Sequence, residues 1–230
     1  MPELSPAEIE ALSLSLKIAL WSVCISLPFA VACAWVLARV DFPGKLLFDG
    51  LVHLPLVLPP VAVGYLLLIL LGRKGAVGAW MMETFGISVS FNWKGAAIAA
   101  SVMAFPLMVR AIRLSIESID QRLEAAARTL GAKRLDIFFT ITLPLILPGI
   151  LTGIVLAFAR SLGEFGATIT FVSNIPGETR TLPLMLYTLV QSPGNNAAAF
   201  ELMLVLIGLS LFALALSEII ARYMRGRLEG

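Results

Sequence analysis

The sequence predicts an all-α integral membrane protein with about five transmembrane helices, organised as a single membrane domain over residues 1–230. Two observations carry this prediction. Hydrophobic residues make up 59% of the chain and charged residues 14%, against roughly 25% charged in an ordinary soluble domain. The apolar residues also come in long uncharged blocks, near the length that crosses a ~30 Å hydrocarbon core. The net charge of +2 offers no basic surplus for nucleic acid, so we expect no such partner.

The first predicted span covers residues 12–38. Its apolar run is interrupted only by Lys17, whose long side chain can reach toward the membrane surface. The ten residues before it carry three glutamates and no base, whereas a cleaved signal peptide begins with a positively charged region. We therefore expect this segment to be retained as a span.

The second predicted span, residues 50–72, contains Pro55, Pro59 and Pro60 in its first half. Proline lacks the N–H that a helix needs and clashes with the preceding turn, so a straight helix is not expected. A broken span at membrane depth must be surrounded by protein or line a cavity.

The remaining predicted spans are residues 95–116, 140–172 and 201–222. Pro106 lies within the third span, and the fourth contains Arg160 and Glu164. Between the spans we expect loops, of which 72–94 and 173–201 are the longest.

Five spans place the two termini on opposite sides of the membrane, and basic residues favour the cytoplasmic side. With the C-terminus inside, eleven bases lie in inner segments and four in outer segments. The inner bases are Arg39, Lys45, Arg110, Arg113, Arg122, Arg128, Lys133, Arg134, Arg222, Arg225 and Arg227; the outer ones are Arg73, Lys74, Lys94 and Arg180. We therefore expect the N-terminus outside and residues 118–144 in the cytoplasm.

The cytoplasmic segment 118–144 is predicted to begin with a short helix, Gln121 to Leu130. Ser118 to Gln121 fits a capping box, with Asp120 as the alternative cap, and Gly131 suits a left-handed helix end. An apolar stripe is expected from Leu123, Ala126 or Ala127, and Leu130.

On another face of this helix, Glu124 and Arg128 are spaced to form an i,i+4 pair. After Gly131, a second helical turn over residues 133–139 should lead into the fourth span. Three interpretations fit such a segment. A DNA-binding helix-turn-helix is disfavoured because both ends enter the bilayer within a few residues. An amphipathic connector on the membrane surface and a docking helix for a cytoplasmic partner remain.

The sequence offers no chemistry of its own. His53 is the only histidine, which cannot form a metal site alone, and we interpret it as a packing residue at the membrane interface. No G-x4-G-K-[ST] phosphate loop is present, and no paired carboxylates or activated nucleophile suggest catalysis. We expect no enzyme activity, no nucleotide site, no cofactor and no metal.

The spacing Ala125-Ala126-Ala127, three residues, Gly131, nine residues, Ile141-x-Leu143-Pro144 resembles the "EAA" loop of bacterial ABC-importer permeases. One position departs from that pattern, because Ala125 occupies the usual glutamate position and the acid lies one residue earlier, at Glu124. The resemblance implies contact with an ATPase for these residues. They are Glu124, Ala125, Ala126, Ala127, Arg128, Gly131, Ile141, Leu143 and Pro144.

A resemblance to the membrane subunits of bacterial molybdate importers extends over four longer stretches, 41–68, 105–120, 123–150 and 159–194. Sulfate and tungstate permeases resemble these stretches closely as well. The resemblance implies a MetI-like ABC importer permease in the bacterial inner membrane. It further implies that the chain is embedded in the lipid bilayer and assembles with three partners. These are a second copy of the chain, two copies of a cytoplasmic ATP-binding subunit and an external substrate-binding protein.

Candidate residues for the translocation pathway are Arg160, Glu164, Pro59, Pro60 and Gly64. Arg160 could contact a passing dianion, or it could pair with Glu164 four residues on and hold a helix end. We favour the pairing, because a free Glu164 would repel an oxyanion. The proline and glycine positions would shape a bend in the pathway wall.

An ion-coupled secondary transporter is the alternative function from a different class. It predicts inverted repeats and intramembrane acids around a central site. Glu164 is the one acid clearly inside a predicted span, and the two halves of the chain show no convincing repeat, so the ABC permease is favoured.

Overall fold

The computed structural model describes residues 5–228, and within this range the regular structure is entirely helical. The α-helices are α1 (Pro6–Arg39), α2 (Lys45–Val57), α3 (Pro60–Leu71), α4 (Ala76–Phe85), α5 (Trp93–Glu117), α6 (Gln121–Thr129), α7 (Arg134–Ile137), α8 (Leu143–Leu162), α9 (Gly166–Val172), α10 (Leu182–Gln191) and α11 (Asn196–Leu228). A π-helical turn, Phe138–Thr142, joins α7 to α8.

Among residues 5–228, four elements are long and apolar enough to cross a membrane: Pro6–Arg39, Trp93–Glu117, Arg134–Leu162 and Asn196–Leu216. Helices α2 and α3 reach that length only together and count as a fifth, broken span. The predicted all-α membrane fold with about five spans is therefore confirmed. The direction of insertion stays a prediction; Glu3 and the side chains of Arg222, Arg225 and Arg227, which contributed to it, lie outside the described residues.

Helix α5 lies at the centre of the fold. In its most apolar stretch 67% of the residues are buried, twice the 33% of the corresponding stretch of α1. Several of its buried residues are alanines, and a β-carbon on Gly149 of α8 would lie only 2.2 Å from the Ser115 side chain of α5. Small side chains let helices approach closely in a membrane, which explains why α1 and α8 pack against this helix.

Buried serines tie the three central helices together. The hydroxyls of Ser22 on α1 and Ser161 on α8 lie 2.7 Å apart. Ser101 of α5 donates to the carbonyl of Ser22 at 3.1 Å. Lipid tails offer no hydrogen-bond partners, so polar groups in a membrane must find them within the protein, here on neighbouring helices.

The second predicted span is bent by 112° between α2 and α3. The bend falls at Leu58 and Pro59, where the backbone is extended. Pro60 then starts α3 at a position where a missing N–H costs nothing. The prediction of a broken helix is correct.

The fourth predicted span, 140–172, does not form one helix. Helix α8 ends at Leu162, and residues up to 172 form the separate helix α9. The backbone leaves the helical conformation at Gly163, and the side chain of Glu164 accepts a hydrogen bond from the Ala167 N–H at 2.9 Å. A polar side chain at this point starts a new helix, which hydropathy does not detect. The expected loops 72–94 and 173–201 also contain short helices, α4 and α10.

Candidate functional site

The helix α6 inside segment 118–144 begins with Asp120, whose carboxylate accepts from the Arg122 N–H at 2.9 Å. The capping box expected at Ser118 is wrong, because Ser118 closes α5 and its hydroxyl donates to the Ser115 carbonyl. The alternative cap, Asp120, is therefore the one formed. The helix ends at Thr129, one residue before the predicted end.

Gly131 stops α6 in the left-handed conformation, with φ of +86°. A β-carbon at this position would meet no atom within 4 Å. The glycine is therefore required by its backbone conformation and not by close packing.

The predicted apolar stripe of α6 is exposed on the surface of the chain. The exposed fraction is 49% for Leu123 and 88% for Leu130. Ala126 between them is also exposed, and Ala127 is half-buried. Two large apolar side chains flanking alanines form a surface that another protein can approach closely.

Glu124 points away from this stripe, toward the membrane domain. Its Oε1 accepts from Arg39 Nη2, in the last turn of α1, at 3.0 Å, and from the Thr142 hydroxyl at 2.9 Å. The Arg39 and Glu124 side chains are each only 13% exposed. The predicted pair of Glu124 with Arg128 is wrong, because the carboxylate forms its ion pair with Arg39, 85 residues earlier in the sequence. We name this contact the Arg39–Glu124–Thr142 link.

The π-helical turn explains how Thr142 reaches Glu124. Pro144 has no N–H for the Thr140 carbonyl, and its ring would clash there in a regular helix. The chain widens by one residue, so that Leu143 N–H bonds to the Phe138 carbonyl. Ile141, Leu143 and Pro144 thus shape the start of α8, and the buried side chain of Thr142 is directed toward Glu124.

Arg160 and Glu164 form the ion pair that we favoured. Arg160 Nη1 lies 2.7 Å from Glu164 Oε2, and the Glu164 side chain is 2% exposed. The other carboxylate oxygen accepts the hydrogen bond at the start of α9. Both oxygens of Glu164 therefore have contacts within the protein.

The bend residues divide into two groups. Pro59 and Pro60 are exposed and remain candidates for a pathway wall. Gly64 is buried, and a β-carbon there would lie 2.5 Å from the Ala167 carbonyl oxygen of α9. Gly64 is thus a contact point between α3 and α9, and its place in the pathway wall stays a prediction.

Comparison with known proteins places these features in a family. A family model described as "Binding-protein-dependent transport system inner membrane component" matches residues 26–226. The chain belongs to this family. The molybdenum transport system permease proteins ModB of Escherichia coli K12 and Haemophilus influenzae are 59% and 57% identical, covering 97% and 96% of this chain and 98% and 96% of theirs.

More distant members of the family include a sulfate transport system permease protein, CysW of Synechocystis, which is 38% identical over 91% of this chain and 75% of its own. Solved ABC importer structures share the fold. A bacterial alginate importer matches with a TM-score of 0.74 at 19% identity, covering 96% of this chain and 80% of that one. The MetNI methionine transporter matches with 0.66 at 16% identity, covering 95% and 94%. The MetI-like permease architecture is confirmed.

This inner membrane component also contains a charged cluster that sequence inspection missed. Arg113 of α5 contacts Asp49 of α2 at 2.9 Å and Glu117 at 2.7 Å, and Asp49 contacts His53 at 2.9 Å. Asp49 and Arg113 are 64 positions apart, and no local pattern joins them. His53 thus has a polar partner in Asp49, while the packing role that we expected for it stays a prediction. Among the described residues no group of three His, Cys, Asp or Glu side chains is suited to a metal ion.

Proposed function

We propose that this permease is the transmembrane subunit of an ABC importer that moves molybdate across the bacterial cytoplasmic membrane, driven by ATP hydrolysis in a separate subunit. The 59% identity to a molybdenum permease over 97% of the chain carries this proposal. The sulfate permease relative, at 38% identity, makes sulfate the second candidate, and tungstate is a third because its oxyanion is of the same type.

The complete importer contains two copies of this chain, two ATP-binding subunits on the cytoplasmic side and an external substrate-binding protein. Its N-terminus lies outside and its C-terminus in the cytoplasm. The exposed stripe of α6 is the docking surface for the ATP-binding subunit, since its leucines are available and its alanines allow close approach.

The Arg39–Glu124–Thr142 link gives this docking a mechanical consequence. Glu124 connects α6 simultaneously to the end of α1 and to the start of α8. When the two ATPases close on ATP, a displacement of α6 therefore pulls on two spans at once, which is a rigid-body route between inward-open and outward-open states. The residues of segment 118–144 therefore have two roles. Leu123, Ala126 and Leu130 contact the ATP-binding subunit, while Glu124 passes the displacement of α6 to the spans.

The pathway itself requires no chemistry from this chain. Arg160 is neutralised by Glu164 at 2.7 Å, so we assign this pair to holding α8 and α9. Pro59 and Pro60, exposed at the bend, are the pathway-wall candidates. Selection among oxyanions then falls to the external binding protein and to the shape of the pore.

The substrate is tested by uptake of labelled molybdate into vesicles that contain the purified importer, with unlabelled molybdate, tungstate and sulfate as competitors. We expect molybdate to compete and sulfate to compete much more weakly. Competition by sulfate alone would overturn the substrate assignment. Uptake without the ATP-binding subunit, driven by a proton or sodium gradient, would instead support the secondary transporter.

The docking surface is tested by Leu130→Asp, since an 88% exposed side chain can be replaced without disturbing the fold. We expect loss of ATP-binding subunit in pull-down. Thr129→Asp, which adds the same charge one residue away and off the stripe, is the matched control and should retain the subunit. Equal loss in both variants would mean that added charge, and not the stripe, is responsible.

A further inference from the structure

A basic cavity lies between the end of α1, helix α6 and the start of α7. It consists of two adjoining cavities of about 520 and 410 Å³, both lined by Trp35, Arg39, Glu124 and Arg128. Arg122 also lines the first cavity, and Arg134 the second. The cavity adjoins the Arg39–Glu124–Thr142 link, but Arg122, Arg128 and Arg134 have no part in the docking or the pathway proposed above.

The charges around this cavity are unbalanced. Glu124 is the one acid in the lining, and Arg39 neutralises it at 3.0 Å. Arg122, Arg128 and Arg134 then remain, and none of the three forms an ion pair with another described residue. In addition, Nε of Arg39 is buried without a hydrogen-bond partner, and a buried donor in that state is costly unless a ligand satisfies it.

The position of the cavity indicates where its ligand comes from. Arg39 is the last residue of the first span, and the apolar run of the fourth span starts beside Phe138. The rings of Trp35 and Phe138 meet edge to face at 5.7 Å between centroids. Tryptophan at this level is typical of the membrane–water interface, so the arginines lie at the depth of lipid headgroups.

We propose that this cavity binds the phosphate of an anionic phospholipid from the cytoplasmic leaflet. Guanidinium groups bind phosphate oxygens in a bidentate manner, and basic pockets between spans on the cytoplasmic side suit anionic headgroups. Trp35 and Phe138 provide an apolar contact for the start of the acyl chains, which a free anion would not use.

The lipid site and the docking stripe occupy different faces of α6. Glu124, Ala125 and Arg128 line the cavity, whereas Leu123 and Leu130 are on the stripe. A bound lipid would therefore brace α6 from the membrane side while the ATP-binding subunit holds it from the cytoplasm. The proposal relies on the inward orientation of this loop but not on the identity of the transported oxyanion.

The test uses the detergent-purified permease with its ATP-binding subunit and native mass spectrometry. Phosphatidylglycerol and phosphatidylcholine of equal chain length are titrated against the wild type and against Arg128→Gln/Arg134→Gln. We expect a preference for phosphatidylglycerol in the wild type that falls roughly 10- to 30-fold in the variant. The control Arg110→Gln/Lys45→Gln removes two positive charges elsewhere in the cytoplasmic segments and should keep the preference.

Other results would overturn the proposal. These are an equal loss in the control variant, no preference between the two lipids, or displacement of the lipid by millimolar inorganic phosphate in the wild type. Lipid binding to the permease alone that disappears when the ATP-binding subunit is added would show that acidic residues of the partner fill the cavity. If the double variant does not assemble, the single Arg134→Gln, an exposed position, replaces it in the same comparison.

Discussion

The Arg39–Glu124–Thr142 link makes a prediction that distinguishes it from the pair suggested by helical spacing. We consider three substitutions: Arg39→Met, which keeps the length of the side chain but not its charge, Glu124→Gln, and Arg128→Gln. Two double-mutant cycles follow, one for Arg39 with Glu124 and one for Glu124 with Arg128. The structure predicts coupling in the first cycle and almost none in the second.

The magnitude follows from burial and hydrogen bonding. The Arg39 and Glu124 side chains are each 13% exposed and their atoms lie 3.0 Å apart. A fully exposed pair contributes at most about 1 kcal/mol, and a hydrogen bond to a charged group about 1.5–3 kcal/mol. We therefore expect a coupling free energy of about 1.5–3 kcal/mol for the first cycle. For Glu124 with Arg128, which make no contact within ion-pair distance, we expect less than about 0.5 kcal/mol.

The assay is reversible unfolding of the purified permease in mixed detergent micelles, followed by tryptophan fluorescence. A second readout separates transmission from stability: the number of ATP molecules hydrolysed per molybdate taken up should rise in Arg39→Met and Glu124→Gln while the ATP-binding subunit remains bound. A larger coupling free energy for Glu124 with Arg128 than for Glu124 with Arg39 would refute our account of the link.

Three further predictions concern backbone conformation, charge and packing. At Gly131, alanine should destabilise the end of α6 by about 1–2 kcal/mol because φ is +86°, whereas asparagine, which tolerates this conformation, should retain more ATPase binding in pull-down. Replacing Arg160 with methionine leaves the buried Glu164 without its cation and should lower the free energy of unfolding by about 3–5 kcal/mol. The double variant with Glu164→Gln should recover part of the thermal stability. Arg160→Lys, which keeps the charge, should leave uptake unchanged. At Gly149, alanine places a β-carbon 2.2 Å from a serine side chain and should lower stability by about 1–3 kcal/mol. Alanine at Gly208 inside α11, with nothing within 4 Å, should instead raise stability by about 0.4–1 kcal/mol in the same unfolding assay.

Features set by local chemistry were predictable from the sequence. Proline lacks a backbone donor and clashes with the preceding turn, so the adjacent prolines Pro59 and Pro60 made a break at this point predictable. Single prolines are tolerated elsewhere, since Pro55 and Pro106 lie inside continuous helices. The end of α6 at Gly131 follows from the freedom of glycine at positive φ. Long uncharged stretches likewise gave the membrane fold, since composition and length decide whether a helix suits a bilayer.

Features set by contacts between distant residues were not predictable. Glu124 has a plausible partner four residues away in Arg128, and helical spacing cannot reveal that the end of α1 brings Arg39 to the same carboxylate. The break at Gly163 was missed for a related reason: Glu164 contacts Arg160 and the Ala167 N–H inside the fold, and the residues that follow it up to Val172 are again mostly apolar. The contact of Gly64 with Ala167 was likewise not predictable, because only the packed structure brings α9 against α3.

The Arg39–Glu124–Thr142 link has a consequence for exchanging parts between transporters. Residues 118–144 look like a self-contained cassette that could be grafted into another permease to change its ATPase. A chimera built that way would carry Glu124 into a host that lacks the arginine at the end of its first helix, and the carboxylate would be enclosed with no cation. The transplantable unit therefore includes the end of the first helix, and Arg39 must travel with the loop.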